Sequence, residues 1–165
     1  MKKIIFLVLI MGSILTATAQ NDPSAVGLSK FETIPAFNIY TAPDSTSFSN
    51  KNLKKNQPLI IMFFSPDCDH CQKETKELLA YKKELKDIQI LMASPASYEA
   101  VKTFYKEYNL SEMHNVKAGQ DVNYTLGRIY QLKTFPSIFV YGHNGKLAKA
   151  FIGNIGVPAI LDAVK

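Results

Sequence analysis

Leu59-Ile60-Ile61-Met62-Phe63-Phe64-Ser65-Pro66-Asp67-Cys68-Asp69-His70-Cys71 is the stretch on which the reading of this 165-residue chain turns. Six apolar residues in a row, bounded by Pro58 and by Ser65-Pro66, fit a central strand buried on both faces. From Cys71 to Lys86 the spacing becomes helical: Leu78, Leu79 and Leu85 lie on one side, and Lys73, Lys76, Glu77, Lys83 and Glu84 cover the rest. Cys68 and Cys71 therefore fall where a buried strand hands over to a helix. A sulfur in the first helical turn has backbone N–H groups pointing toward it, which favours thiolate over thiol. The three-residue spacing also puts both side chains on one helix face, within reach of a disulfide.

Downstream, Ile88 to Ala93 returns to strand character, and Val101, Phe104, Tyr105 and Tyr108 recur at the spacing of an amphipathic helix. Asp121 is placed to N-cap a further helix whose Leu126, Ile129 and Tyr130 face inward. Ser137 to Tyr141 reads as a strand, His143-Asn144-Gly145 as a tight turn, and Leu147 to Ile152 as the second arm of a hairpin. Val157 to Lys165 closes the chain as a helix, with Pro158 tolerated in its first turn. Upstream, Ile34 to Tyr40 and the turn residues Ala42-Pro43-Asp44-Ser45 before Phe48 predict a short N-terminal hairpin. Strands alternating with helices in this way predict an α/β fold, a central sheet with helices on both faces.

The first nineteen residues have a different composition. Lys2 and Lys3 precede an apolar run from Ile4 to Leu15, and Ala17-Thr18-Ala19 supplies a small-x-small cleavage pattern, so 1–19 reads as a secretory signal peptide. The apolar run is shorter than the roughly 20 residues that span a bilayer. Residues 20–30 are small and polar and read as a flexible leader, leaving 31–165 as one domain. The expected product is a soluble protein outside the cytoplasm, periplasmic or otherwise extracytoplasmic, with no lipid anchor because no cysteine follows the cleavage site. The net charge of +5, or +3 without Lys2 and Lys3, is spread along helical stretches and does not argue for nucleic acid.

The cysteines admit several uses. A four-residue loop closed as a structural staple contributes about 2 kcal/mol in the chain-entropy model, less than a longer loop would. A zinc site needs a second pair of ligands, yet His114 and His143 lie far apart in sequence. Soft thiolates would suit Cu(I), as in a copper-binding metallochaperone module. A peroxiredoxin-like thiol peroxidase carries P-x-x-x-[TS]-x-x-C; Ser65 satisfies its hydroxyl position, but Ile61 stands where the proline belongs. Redox exchange is the use best matched to the only two cysteines of an exported chain, placed between strand and helix.

From about Ile34 to Lys165 the sequence resembles the thioredoxin superfamily, and within it the TlpA/ResA-like exported thiol:disulfide oxidoreductases. The segments that carry the likeness are Phe63 to Cys71 and Thr134-Phe135-Pro136-Ser137. The resemblance implies a thioredoxin-like three-layer sandwich with a central mixed sheet. It implies Cys68 as the exposed nucleophile, Cys71 as the resolving thiol and Pro136 as a cis proline beside them. A cis proline there would leave the backbone of Phe135 free to pair with an extended substrate. Phe135, Pro136, Asp69 and His70 are thus the expected substrate-binding residues.

Two departures from the family pattern matter. Met62 occupies the strand position, six before the first cysteine, where thioredoxins commonly carry a buried Asp. Glu74, three residues after Cys71, is the candidate replacement, and TlpA/ResA-like proteins place a functional Glu at this C-x-x-C-x-x-E position. Between the cysteines, an imidazolium on His70 would stabilise the thiolate by about 3 kcal/mol, and Asp69 would oppose it. No cofactor or metal is expected. The implied partners are protein thiols and disulfides and a membrane-borne thiol electron donor, met by a monomer.

Overall fold

The computed structural model describes residues 31–164; the segments read as signal peptide and leader, and Lys165, lie outside the described residues. A hairpin of β1 (Asn38–Thr41) and β2 (Thr46–Ser49) opens the domain. It is followed by β3 (Leu59–Phe63), α1 (Asp69–Ala80), β4 (Gln89–Ser94), α2 (Tyr98–Glu107), β5 (Val116–Gln120) and α3 (Thr125–Ile129). A second hairpin of β6 (Ser137–Tyr141) and β7 (Leu147–Ile152) leads into α4 (Val157–Val164). The strands form one mixed sheet in the order β2-β1-β5-β4-β3-β6-β7, parallel across β5, β4 and β3 and antiparallel elsewhere.

All five residues of β3 are buried, as its uninterrupted apolar run requires. Alternate residues divide between two cores. Ile60, Met62, Ile90, Met92, Ile138 and Val140 face α1, α2 and α4, where Leu78, Val101, Phe104 and Ile160 meet them. Leu59, Ile61, Phe63, Leu91, Phe139 and Tyr141 face Phe31, Phe37, Leu126 of α3 and Tyr130 just past its end. On this second side the rings of Phe63, Tyr130 and Phe139 pack with centroids 4.4–5.9 Å apart.

The register of β3 fixes what comes together at one end of the sheet. Phe63, its last residue, pairs with Ser137, the first residue of antiparallel β6. The chain leaving β3 toward Cys68 and the chain entering β6 through Phe135-Pro136 therefore meet at the same edge.

Three details depart from the sequence reading. Strand β5 was not foreseen, because Val116-Lys117-Ala118-Gly119-Gln120 carries little apolar bulk; Gly119 is there for clearance, since a Cβ on it would come 2.7 Å from the carbonyl oxygen of Tyr40 in β1. Helix α1 stops at Ala80 instead of Lys86, where Tyr81 leaves the helical backbone (φ −99°, ψ 21°). Leu85 is still buried, but it gets there from the turn that follows. Asp121 caps α3 from a distance: its buried carboxylate accepts the N–H groups of Leu126 and Gly127, both at 2.9 Å, while residues 122–124 form a separate turn.

Candidate active site

Cys68 is the N-cap of α1, and its Sγ accepts the N–H of Cys71 at 3.2 Å. A sulfur so placed takes up one of the orphan donors of the helix start and meets the positive end of its dipole. The loop before it is braced, because Cys68 N–H donates to the Ser65 carbonyl and the Gln72 side-chain amide to the Pro66 carbonyl. Cys68 is half-buried, whereas Cys71 is fully buried in the core under α1. Both are free thiols. Burial, and after it the hydrogen bond with the Cys68 sulfur, pushes the Cys71 thiol above its usual range. The two sulfurs are therefore unequal: one reaches solvent and the other is sealed.

The peptide bond between Phe135 and Pro136 is cis, and the Phe135 carbonyl lies 3.7 Å from Cys68 Sγ. Pro136 is buried and Phe135 half-buried, its ring packing against both cores. The turn is tied down by Ser137 Oγ, which donates to the Thr134 carbonyl, and by the N–H of Gly153, which donates to the Pro136 carbonyl at 2.8 Å. Asp69 and His70 open α1 and are exposed beside Cys68. A cavity of about 400 Å³ borders the loop, bounded by Phe31, Tyr130, Leu132, Thr134, Ser137 and the exposed Ile152. A second, of about 360 Å³, adjoins Asp67 and Gln72.

Glu74 is fully buried rather than displayed on a charged helix surface. Its Oε2 accepts hydrogen bonds from the Asn154 side-chain amide and from the N–H groups of Ile155 (3.1 Å) and Gly156 (3.4 Å). Its Oε1 is buried and has no hydrogen-bond partner. Met62 is likewise fully buried in β3, an apolar side chain at the position where thioredoxins commonly carry Asp. Ile61, where a thiol peroxidase has its proline, sits mid-strand and pairs with Leu91 and Phe139. The loop at 153–157 was not picked out from the sequence, although Gly153-Asn154-Ile155-Gly156 carries turn composition that could have marked it.

A half-exposed cysteine capping a helix, a buried thiol one turn further on and a cis-proline peptide facing the first sulfur define a thioredoxin-fold dithiol site. The thioredoxin-like domain family matches residues 49–164, and the chain belongs to that family. Among solved structures, the chain is similar to a secreted Mycobacterium tuberculosis disulfide oxidoreductase homologous to E. coli DsbE, with 19% identity and a TM-score of 0.60 over 73% of this chain and 84% of that one. It is similar to StoA from Bacillus subtilis, with 18% identity and a TM-score of 0.61 over 80% and 98%. It is similar also to a thiol-disulfide oxidoreductase from Bacteroides fragilis, with 21% identity and a TM-score of 0.63 over 79% and 95%. At these identities the likeness establishes the fold. No curated protein matches the chain.

Proposed function

We propose that this protein is an exported thiol:disulfide oxidoreductase that exchanges the Cys68/Cys71 pair with protein thiols through a mixed disulfide. The observation that carries the reading is the asymmetry of the two sulfurs beside the cis-proline loop: Cys68 is reachable and helix-capping, and Cys71 is buried and held protonated. In the reducing direction the Cys68 thiolate attacks one sulfur of a substrate disulfide, and the other leaves as a thiolate that takes a proton. Cys71 then loses its proton and attacks Cys68 Sγ. The substrate departs with two thiols, the protein keeps a Cys68–Cys71 disulfide, and two electrons have passed to the substrate. The reverse sequence oxidises a dithiol.

An extended substrate segment would pair with the backbone of Phe135 and lie over Asp69, His70 and Pro136, with the cavity that ends at Ile152 taking an apolar side chain. Glu74 would accept and return the proton of Cys71 from one helical turn away, the task that Met62 cannot perform. No helix among the described residues is long and apolar enough to cross a membrane. The signal-peptide pattern at 1–19 supports action outside the cytoplasm, and on this reading the protein works as a monomer recharged by a membrane-borne thiol donor.

The test is a redox titration of the chain without residues 1–19 in defined dithiothreitol buffers, with thiols counted by mass after quenching. A single reversible two-electron transition involving two thiols is expected. A pair that stays reduced throughout, or that takes up copper stoichiometrically while showing no exchange, contradicts the reading.

A further inference from the structure

Two glutamates of α1, one turn apart, grip the loop between β7 and α4. Glu74 Oε2 takes the Asn154 amide and the N–H groups of Ile155 and Gly156, and Glu77 Oε2 takes the next N–H, that of Val157, at 3.3 Å. Three consecutive backbone donors can converge on carboxylates only where the chain curls into a concave nest, and Gly156 at φ +81° supplies the left-handed residue that this needs. A Cβ on Gly156 would come 3.1 Å from Glu77 Oε2. At its other end the same loop holds the active site, since Gly153 N–H donates to the Pro136 carbonyl, one residue from the carbonyl that faces Cys68 Sγ. An unbroken run of contacts therefore leads from the helix that carries the dithiol, through Asn154 and Gly153, to the cis-proline loop. Asn154 supplies the side-chain donor from the loop to Glu74, half-buried and donating to a carboxylate with no water-facing oxygen.

We propose that Asn154 is a positioning residue for the exchange reaction: by tying its loop to Glu74 it sets the placement of Phe135-Pro136 over Cys68, and so the docking of polypeptide substrates. This rests on the oxidoreductase reading. A polypeptide disulfide must lie along the loop to reach Cys68, whereas a small disulfide meets the sulfur without it. Loss of the tie should therefore slow the first and spare the second, a pattern that general loosening of the fold does not produce.

The experiment compares Asn154→Ala with Asn154→Gln, which keeps the amide, each in the Cys71→Ser background so that only attack by Cys68 is read. Mixed-disulfide formation is followed with insulin and with the small aromatic disulfide DTNB, and amide hydrogen exchange is followed at Gly153. Asn154→Ala should slow the insulin reaction by about tenfold, the worth of one hydrogen bond to a charged group, leave DTNB within about twofold, and speed exchange at Gly153. Asn154→Gln should recover most of the insulin rate. Equal slowing with both disulfides, or an unchanged insulin rate, overturns the proposal, and so does unchanged protection at Gly153. A parent protein that reacts with DTNB but never with insulin defeats the oxidoreductase reading instead, and the exchange at Gly153 still decides whether Asn154 holds the loop.

Discussion

Raising the pH should destabilise the reduced protein through Cys71, over a window and with a slope that the structure fixes. The Cys71 thiol is sealed from solvent, and burial raises its pKa from the usual 9.0 of the unfolded chain. Below pH 9.0 both states hold the proton and this contribution is fully present. Above it the unfolded state loses the proton while the folded state keeps it, so stability falls by about 1.4 kcal/mol per pH unit until the folded value is reached. By about pH 10.5 the loss is about 2 kcal/mol, a sizeable fraction of a typical domain's stability. Buried Tyr130 and Tyr141, hydrogen-bonded to each other at 2.7 Å, also titrate upward, Tyr141 to about 12, and add a slope of the same sign. They are common to every form of the protein and cancel in a difference. Urea denaturation between about pH 7 and 10.5 should therefore give a steeper decline for the reduced protein than for either the disulfide form or Cys71→Ser. Parallel declines for all three would refute the claim that the folded chain holds Cys71 protonated.

Other outcomes follow from particular contacts. Glu74→Gln should slow release of substrate from a mixed disulfide on Cys68, the step in which Cys71 gives up its proton, and an unchanged rate would leave solvent as the proton acceptor. Gly119→Ala, which drives a methyl into the Tyr40 carbonyl and the Ile39 side chain, should cost about 1–3 kcal/mol in urea, and an unchanged midpoint contradicts the packing described for β1 and β5. Asp121→Ala removes the acceptor of two α3 N–H groups and should cost about 1–2 kcal/mol by the same measurement, with no effect expected if water replaces it at no loss.

The elements that positioned the dithiol were legible because their signals are local. Six apolar residues followed by Ser65-Pro66 and then a helical pattern leave few alternatives, and the strand, the turn and the helix start at Cys68 all appear where that pattern places them. The turn at Gly145 and the helix opening at Val157-Pro158 were legible for the same reason. Strand β5 was not, since its central Ala118-Gly119 is chosen for the close approach of β1 and not for apolar bulk. The end of α1 was overrun because Leu85 satisfies helical spacing while being buried by a turn. The position of Glu74 on the Cys71 side of the helix could be read from spacing, but its burial depends on Asn154 and Ile155, some 80 residues away. Periodicity along one helix carries no information about a loop that reaches it from the far end of the domain.

The division of labour between the two sulfurs is tested most directly by trapping. Reduced Cys68→Ser and Cys71→Ser proteins are each incubated with a protein disulfide, quenched with acid and analysed by mass for covalent adducts. The account predicts mixed disulfides on Cys68 in Cys71→Ser and none on the buried Cys71 in Cys68→Ser. Equal trapping by the two variants, or adducts only on Cys71, would contradict it.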